Sequence, residues 1–184
     1  MVTSIKMPKA SVATTYTKTQ CVDQIYTLYH KNVYNYIAYR INNLHDAQEL
    51  ACDVFIKAMQ NIHSYNESRP MEAWLIAIAK NTVTDYLRKS LKRKNVGLES
   101  IANFTSAEPQ PEEVLIATER SHELMRALAK LNEKERQVLS MKFATELEHK
   151  EIGEVMKIST SQVGVVTHRA IKKLRKYMEV ENER

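Results

Sequence analysis

Apolar residues recur along most of this chain at intervals of three and four, the spacing of a helix that buries one face. Between Val22 and about Asn42 the recurrence runs Ile25, Leu28, Tyr29, Val33, Tyr36 and Ile37, with Arg40-Ile41 a turn later, and predicts one long helix with His30 and Lys31 on its wet side. A second helix is predicted from the segment opening at His45 to about Ile62, with Asp46 suited to cap its start. Leu50, Val54 and Phe55 face inward there, and Gln48, Glu49 and Asp53 outward. The third, Met71 to Lys94, sets Met71, Trp74, Leu75, Ile78, Thr82 and Tyr86 on one stripe, with Lys80, Asn81, Thr84 and Arg88 on or near the other side. Helical spacing resumes from Glu113 to Lys130 through Leu115, Leu124 and Leu128. Asn132 and Glu135 have the spacing of a capping box that opens a helix through Val138, Leu139 and Phe143. The rest reads as helix, turn, helix: Glu151 to Met156, a turn at Lys157-Ile158, then a helix opened by a Ser159-x-x-Gln162 box.

Only 3 Gly and 4 Pro occur in 184 residues, too few for the tight turns of a sheet-rich fold, and no segment alternates with period two. The expected fold is all-α: two small helical domains joined by an extended acidic linker, the second containing the helix-turn-helix. The linker is marked by composition. Between Lys94 and Arg120 there is no Lys or Arg, but there are Glu99, Glu108, Glu112, Glu113 and Glu119, with Pro109 and Pro111 among them. The expected division is a basic tail over 1–21, a first domain over 22–94, the linker over 95–112 and a second domain over 113–184.

Charge changes the picture through its location, since a net charge of +5 is common among proteins that bind no polyanion. After Asp85 the chain carries Arg88, Lys89, Lys92, Arg93 and Lys94 without an acid, a phosphate-binding profile. On the last helix Val163, Thr167, Ala170 and Leu174 point one way, and Ser161, Val165, His168, Arg169, Lys172 and Lys176 the other. A basic exposed face behind a free first turn is how the second helix of a helix-turn-helix reads the major groove. Periodicity alone equally allows ordinary amphipathic helices with solvated basic faces. Cys21 and Cys52 lie far apart with no C-x-x-C, so reduced thiols are expected, and neither a metal nor a cofactor. The six histidines are scattered and no phosphate loop appears, which disfavours an enzyme. No apolar run approaches the roughly 18 residues of a membrane span, and the N-terminus has no apolar signal core, so a cytoplasmic location is expected.

Three stretches go further than periodicity. Trp74-Leu75, Ile78-Ala79-Lys80-Asn81 and Asp85-Tyr86-Leu87-Arg88 together resemble the W-L-x-x-I-A-x-N-x-x-x-D-x-L-R signature of bacterial sigma factors of the extracytoplasmic-function (ECF) type, with Met71 where Phe is usual. Asp46 to Phe55 is similar to the family's D-A-E-D-x-x-Q-E-V-F motif, with Gln48 replacing an acid and Cys52 a Gln. Leu131 to Leu139 resembles L-P-x-x-x-R-x-V-L with Asn132 for Pro, Glu151-Ile152-Gly153-Glu154 resembles E-I-A-E, and His168-Arg169-Ala170 resembles H-R-A.

The resemblance implies a non-enzymatic, dissociable subunit that binds core RNA polymerase, selects promoter DNA and helps open it, with an anti-sigma factor as a further partner the family allows. It implies core-polymerase contacts at Asp46, Gln48, Glu49, Asp53 and Phe55. The opened minus-ten element is expected at His63 and Asn66, in the loop that accepts a flipped base, and at Lys80, Asn81, Thr84, Asp85, Arg88, Lys89 and Lys92. The minus-thirty-five element is expected at Lys150, Thr160, Ser161, Gln162, Val165, His168, Arg169, Lys172 and Lys173. Gly164 and Val166 stand where the family commonly has basic residues, which shifts base reading toward Gln162, with adenine as its partner. The other reading is an operator-binding regulator that uses only the helix-turn-helix, which would need neither the Asp46–Phe55 nor the Trp74–Arg88 signature.

Overall fold

The computed structural model describes residues 18–41, 43–95 and 123–182, and among them there is helix and no strand. The elements are α1 (Lys18–Ile41), α2 (Leu44–Gln60), a 3-10 turn (Ile62–Ser64), α3 (Met71–Asn95), α4 (residues 123–129), α5 (Glu133–Ala144), α6 (His149–Met156) and α7 (Thr160–Asn182). Most of the expected tail and the whole of the expected linker beyond Asn95 lie outside the described residues, whereas 18–21, expected as tail, form the first turn of α1.

Side chains set the boundaries. Asn43, in an extended conformation, accepts the Asp46 backbone N–H at 3.2 Å, so Asn43 and not Asp46 caps α2. Asp46 sits inside the first turn, where a carboxylate still meets the positive end of the helix dipole. The chain leaves α2 two residues earlier than expected, because the Asn61 N–H turns back to the Lys57 and Ala58 carbonyls. The Asn132–Glu135 box forms as expected, at 2.9 and 3.2 Å, and so does the Ser159–Gln162 box, at 3.2 Å in both directions.

Between α6 and α7 the backbone reverses through Lys157, whose φ of 55° is left-handed. The turn closes so tightly that a Cβ on Gly153 would stand 2.8 Å from the Ile158 carbonyl oxygen, whereas one on Gly164 would meet only His149 Nδ1, at 3.9 Å. Both glycines are helical, so alanine gains about 0.5–1 kcal/mol of backbone entropy and propensity at either position. Gly164→Ala should raise stability by that amount, while Gly153→Ala should lower it because backbone must move. Urea unfolding of the two variants checks this, and shifts of the same sign would show that the turn is not sterically closed.

α1, α2 and α3 meet through Val33, Tyr36 and Ile37, which pack with Ala47, Ala51 and Val54, and with Leu75, Ile76, Ala79 and Val83. The buried face of α3 is rotated from the expected stripe, of which only Leu75 and Thr82 are buried while Met71, Trp74, Ile78 and Tyr86 are half-buried, and Leu28, expected inward on α1, is 59% exposed. His30, expected on the wet side, is half-buried beside the Tyr26 and Phe55 rings. The second half departs from the expectation of two separate cores. α5 lies along α1, and Val138, Met141, Ala144, Leu147, Ile152 and Val163 belong to the same buried cluster as Val33 and Ile37. A smaller cluster of Leu128, Leu131, Leu139 and Ala170 sits under α4 and α7. Each half alone offers few apolar residues per unit of surface, and sharing a core offsets that deficit. Phe143, expected inward, is 60% exposed, because α5 turns Val138, Met141 and Ala144 to the core. The join also contains a charge: Arg40 on α1 is 1% exposed and donates two hydrogen bonds to Glu133 on α5, one of them at 3.1 Å.

Candidate polymerase and nucleic-acid interfaces

The outer stripe of α2 consists of Gln48, Glu49, Cys52, Asp53 and Ile56, all exposed. Ile56 is 55% exposed, a large apolar side chain set among polar and acidic neighbours, which is the composition of a contact surface more than of a solvated face. Sequence reasoning missed it, although its spacing from Glu49 and Asp53 places it on their side of the helix. Two of the five expected docking residues also make contacts within the fold. Phe55 is 7% exposed and meets the Tyr26 ring edge-on with centroids 5.0 Å apart. Asp46 accepts the Tyr86 hydroxyl and so fastens α2 to α3. His45, Asp46 and Glu49 bring their donor atoms within 4.8 Å of one another. His45 Nδ1 lies 3.7 and 3.8 Å from the two carboxylates, at the exposed start of α2, and Asp46 is also engaged by Tyr86.

Between the end of α2 and the first four turns of α3 lies a cavity of about 390 Å³. Trp74 and Ile78 give it an apolar floor, and Lys57, Asn61, Ser64, Asn81 and Asp85 a polar rim. The loop leading into α3 is fixed by its own bonds. The Tyr65 ring leans on Trp74 at 5.4 Å, its hydroxyl donates to the Arg69 carbonyl at 2.6 Å, and the Ser68 N–H donates to Asn66 Oδ1 at 3.0 Å. Lys57 Nζ is held at the rim by a 3.0 Å bond to Thr82 Oγ1. An aromatic floor with an amide and cationic rim complements an unstacked nucleobase and its phosphate.

The residues expected on the opened strand divide accordingly. Asn81 and Asp85 line the cavity, His63 and Asn66 are exposed on its loop, and Lys89 and Lys92 are exposed further along α3. Arg88 is paired with Asp85 at 2.9 Å, and the Thr84 hydroxyl bonds back to the Lys80 carbonyl at 2.8 Å. Lys80 is turned away from the cavity: it is half-buried and donates to the Val155 carbonyl on α6 at 3.0 Å. Lys57, Asn61, Ser64 and Trp74 were not among the expected contacts. The signal available for the first three was weak, since a helix predicted to Ile62 makes Lys57 and Asn61 ordinary wet-side residues.

On the helix-turn-helix, Lys150, Thr160, Ser161, Val165, His168, Arg169 and Lys172 are exposed, and Val163, Thr167 and Ala170 are buried, as the pattern predicts. Lys173 is exposed too, with its Nζ bonding the buried Glu135 carboxylate at 2.7 Å. Gln162 is exposed and its Oε1 accepts the Ser159 N–H, so the residue expected to read a base also closes the capping box. Val166 packs against the main core, while Gly164 opens outward.

Two carboxylates at the join between the halves are electrostatically distinct. Burial raises the pKa of Glu72 above the ordinary carboxyl value, and Glu146 and Glu151 add to this. Hydrogen bonds from Asn32 Nδ2 at 2.7 Å and the Glu146 N–H at 3.3 Å oppose it. Burial also pushes Glu133 upward, but the Arg40 bonds and charge outweigh it, so that this carboxyl lies below its ordinary value.

A three-helix unit with an aromatic-floored cavity beside an exposed, mostly polar stripe, followed by a helix-turn-helix, fits a promoter-recognition subunit. Sigma-70 region 2 matches residues 25–93, and Sigma-70, region 4 matches residues 127–176. RNA polymerase sigma factor YlaC of Bacillus subtilis (strain 168) is 30% identical over 158 residues, covering 85% of this chain and 91% of that protein. ECF RNA polymerase sigma factor SigW of the same organism is 30% identical over 162 residues, with 84% and 87% covered. The chain belongs to the ECF sigma factors, which are transcription initiation factors and not enzymes. The solved structure of the sigma factor RpoE in complex with the anti-sigma factor NepR from Bartonella quintana shares its fold, with a TM-score of 0.69 at 17% identity over 88% of this chain and 98% of that one. Among the described residues no helix is long and apolar enough to cross a membrane.

Proposed function

We propose that this sigma factor works in the cytoplasm, docking on core RNA polymerase through the α2 stripe of Gln48, Glu49, Asp53 and Ile56. The polymerase is thereby directed to promoters whose minus-ten element enters the α2–α3 cavity and whose minus-thirty-five element meets α7. The observation that carries this reading is the cavity itself, with Trp74 beneath and Asn61 and Asn81 at the rim, next to exposed Lys89 and Lys92 for the backbone. On α7, Thr160 and Ser161 stand at the exposed helix start, Val165 is able to touch a thymine methyl, and Arg169 and Lys172 hold phosphates. An anti-sigma factor is a natural partner, as in the RpoE–NepR complex. An operator-binding regulator has no use for an exposed Ile56 in the stripe or for a Trp74-floored cavity away from the helix-turn-helix, which disfavours that reading.

Energetics divide the labour. Opening about ten base-pair steps at roughly 1.4 kcal/mol each costs on the order of 14 kcal/mol, and one captured base returns about 1–3 kcal/mol. The polymerase therefore supplies most of the work, and docking precedes opening. Asp53→Lys puts a cation into the docking stripe without touching the core or the cavity. Titration of labelled chain with core polymerase should show at least a tenfold loss of affinity, about 1.4 kcal/mol. Unchanged affinity would remove Asp53 from the docking surface.

A further inference from the structure

Within α7, the helix that would enter the major groove, one position has no side chain to offer. Gly164 lies one turn from Thr160 and one turn from His168, at the edge of the exposed face that turns toward α6. A glycine inside a helix weakens it, and suits a place where another group must come close to the backbone. The group that comes close here is His149, the first residue of α6. Its Nδ1 stands 3.9 Å from where a Gly164 Cβ would be, and among the described residues no other atom from outside α7 comes within 4 Å of that point. His149 is half-buried, set between the two helices of the pair.

In a helix-turn-helix the second helix enters the major groove while the first crosses the DNA backbone, which brings phosphates to the start of α6. A bare helix end would meet them with its own N–H groups. Here the Glu148–Glu151 capping box takes up that end, with the Glu148 N–H bonded to the Glu151 carboxylate at 2.7 Å. A phosphate arriving there is therefore met by side chains. Lys150 is exposed beside it, and the His149 imidazole has an N–H to donate whether it is neutral or charged. We propose that His149 holds a backbone phosphate of the minus-thirty-five element and stands in for the side chain that position 164 lacks. The inference rests on the promoter reading above and adds to it a contact from the first helix of the pair. A long side chain at 164 and the His149 ring would serve the same space, so the two positions are alternatives and not partners.

The full-length chain with core polymerase tests this on a promoter fragment taken from a start site that the polymerase uses only in the chain's presence. His149→Ala should weaken binding of the fragment at least fivefold, with helicity and affinity for core polymerase unchanged. Ethylation of one phosphate at the minus-thirty-five element should hinder the wild type and leave the variant indifferent. Gly164→Arg has room for its Cβ and supplies a cation to the same phosphate, so in that background His149→Ala should cost less than twofold. A His149→Ala variant that binds as wild type does overturns the contact, and an equal loss in both backgrounds overturns the substitution of one position for the other. If selected promoter libraries change base preference at one position while the ethylation pattern stays the same, His149 reads a base and the phosphate assignment is wrong. Should Gly164→Arg not fold, the ethylation pattern decides alone. If no start site depends on the chain, the promoter reading itself fails and the inference with it.

Discussion

Truncating Met141 to alanine should destabilise both halves of the chain together and shift one thermal transition by roughly 10 °C. Met141 belongs to α5 in the second half, yet it is fully buried in the cluster that contains Val33 and Ile37 of α1. Removing a buried methionine side chain costs about 2–5 kcal/mol, and a chain of this length loses about 2–4 °C per kcal/mol. The single tryptophan, Trp74, lies on α3 and reports the first half alone. Its fluorescence transition should move by as much as the far-UV helical signal. A Trp74 transition that stays in place while the helical signal splits would show that the halves fold independently and that the shared core is not formed in solution.

The second large effect concerns the cavity. Asn81 is exposed, lies off the buried stripe of α3 and lines the cavity rim, so Asn81→Ala should leave stability within about 0.5 kcal/mol of wild type. Promoter opening should suffer far more. Losing a hydrogen-bonded or stacked strand contact costs about 1–3 kcal/mol, and a loss in the middle of that range slows the appearance of permanganate-reactive thymines by more than tenfold. Thymine reactivity with the chain alone, without core polymerase, should be absent for wild type and variant alike. Unchanged opening would mean that the cavity holds no base, and a lost thermal transition that Asn81 is structural.

How much of this was legible in the sequence depends on whether a residue's fate is decided within a few turns of itself. The helices and the inward positions of Val33, Ile37, Val54, Leu75, Val163 and Ala170 follow from spacing alone, and the Asn132–Glu135 and Ser159–Gln162 boxes from residues three apart. The α2 cap shows where local reading stops. Asn43 and Asp46 are both good caps, and Tyr86, forty residues on, engages the Asp46 carboxylate. Arg40 falls at the end of the recurrence on α1, but its partner Glu133 arrives from 93 positions away and could not be named from spacing. The Val138–Met141 edge has the same pattern whether it meets its own half or the other one, so the shared core could not be read from periodicity. Gln162 carried two plausible roles in sequence, and the one made within the chain is the cap, through its amide oxygen. Ile56 and Lys57 were readable as exposed; that one belongs to a contact stripe and the other to a cavity rim needed the position of α3.

The most direct test of the promoter reading is transcription from sheared genomic DNA by purified core RNA polymerase, with and without the full-length chain, followed by mapping of RNA 5′ ends. Start sites that appear only with the chain, share two upstream elements and weaken with Asn81→Ala are the predicted result. If the chain adds no start sites to those of core polymerase alone, while the same preparation binds duplex DNA tightly without polymerase, the chain acts as an operator-binding regulator and not as a sigma factor.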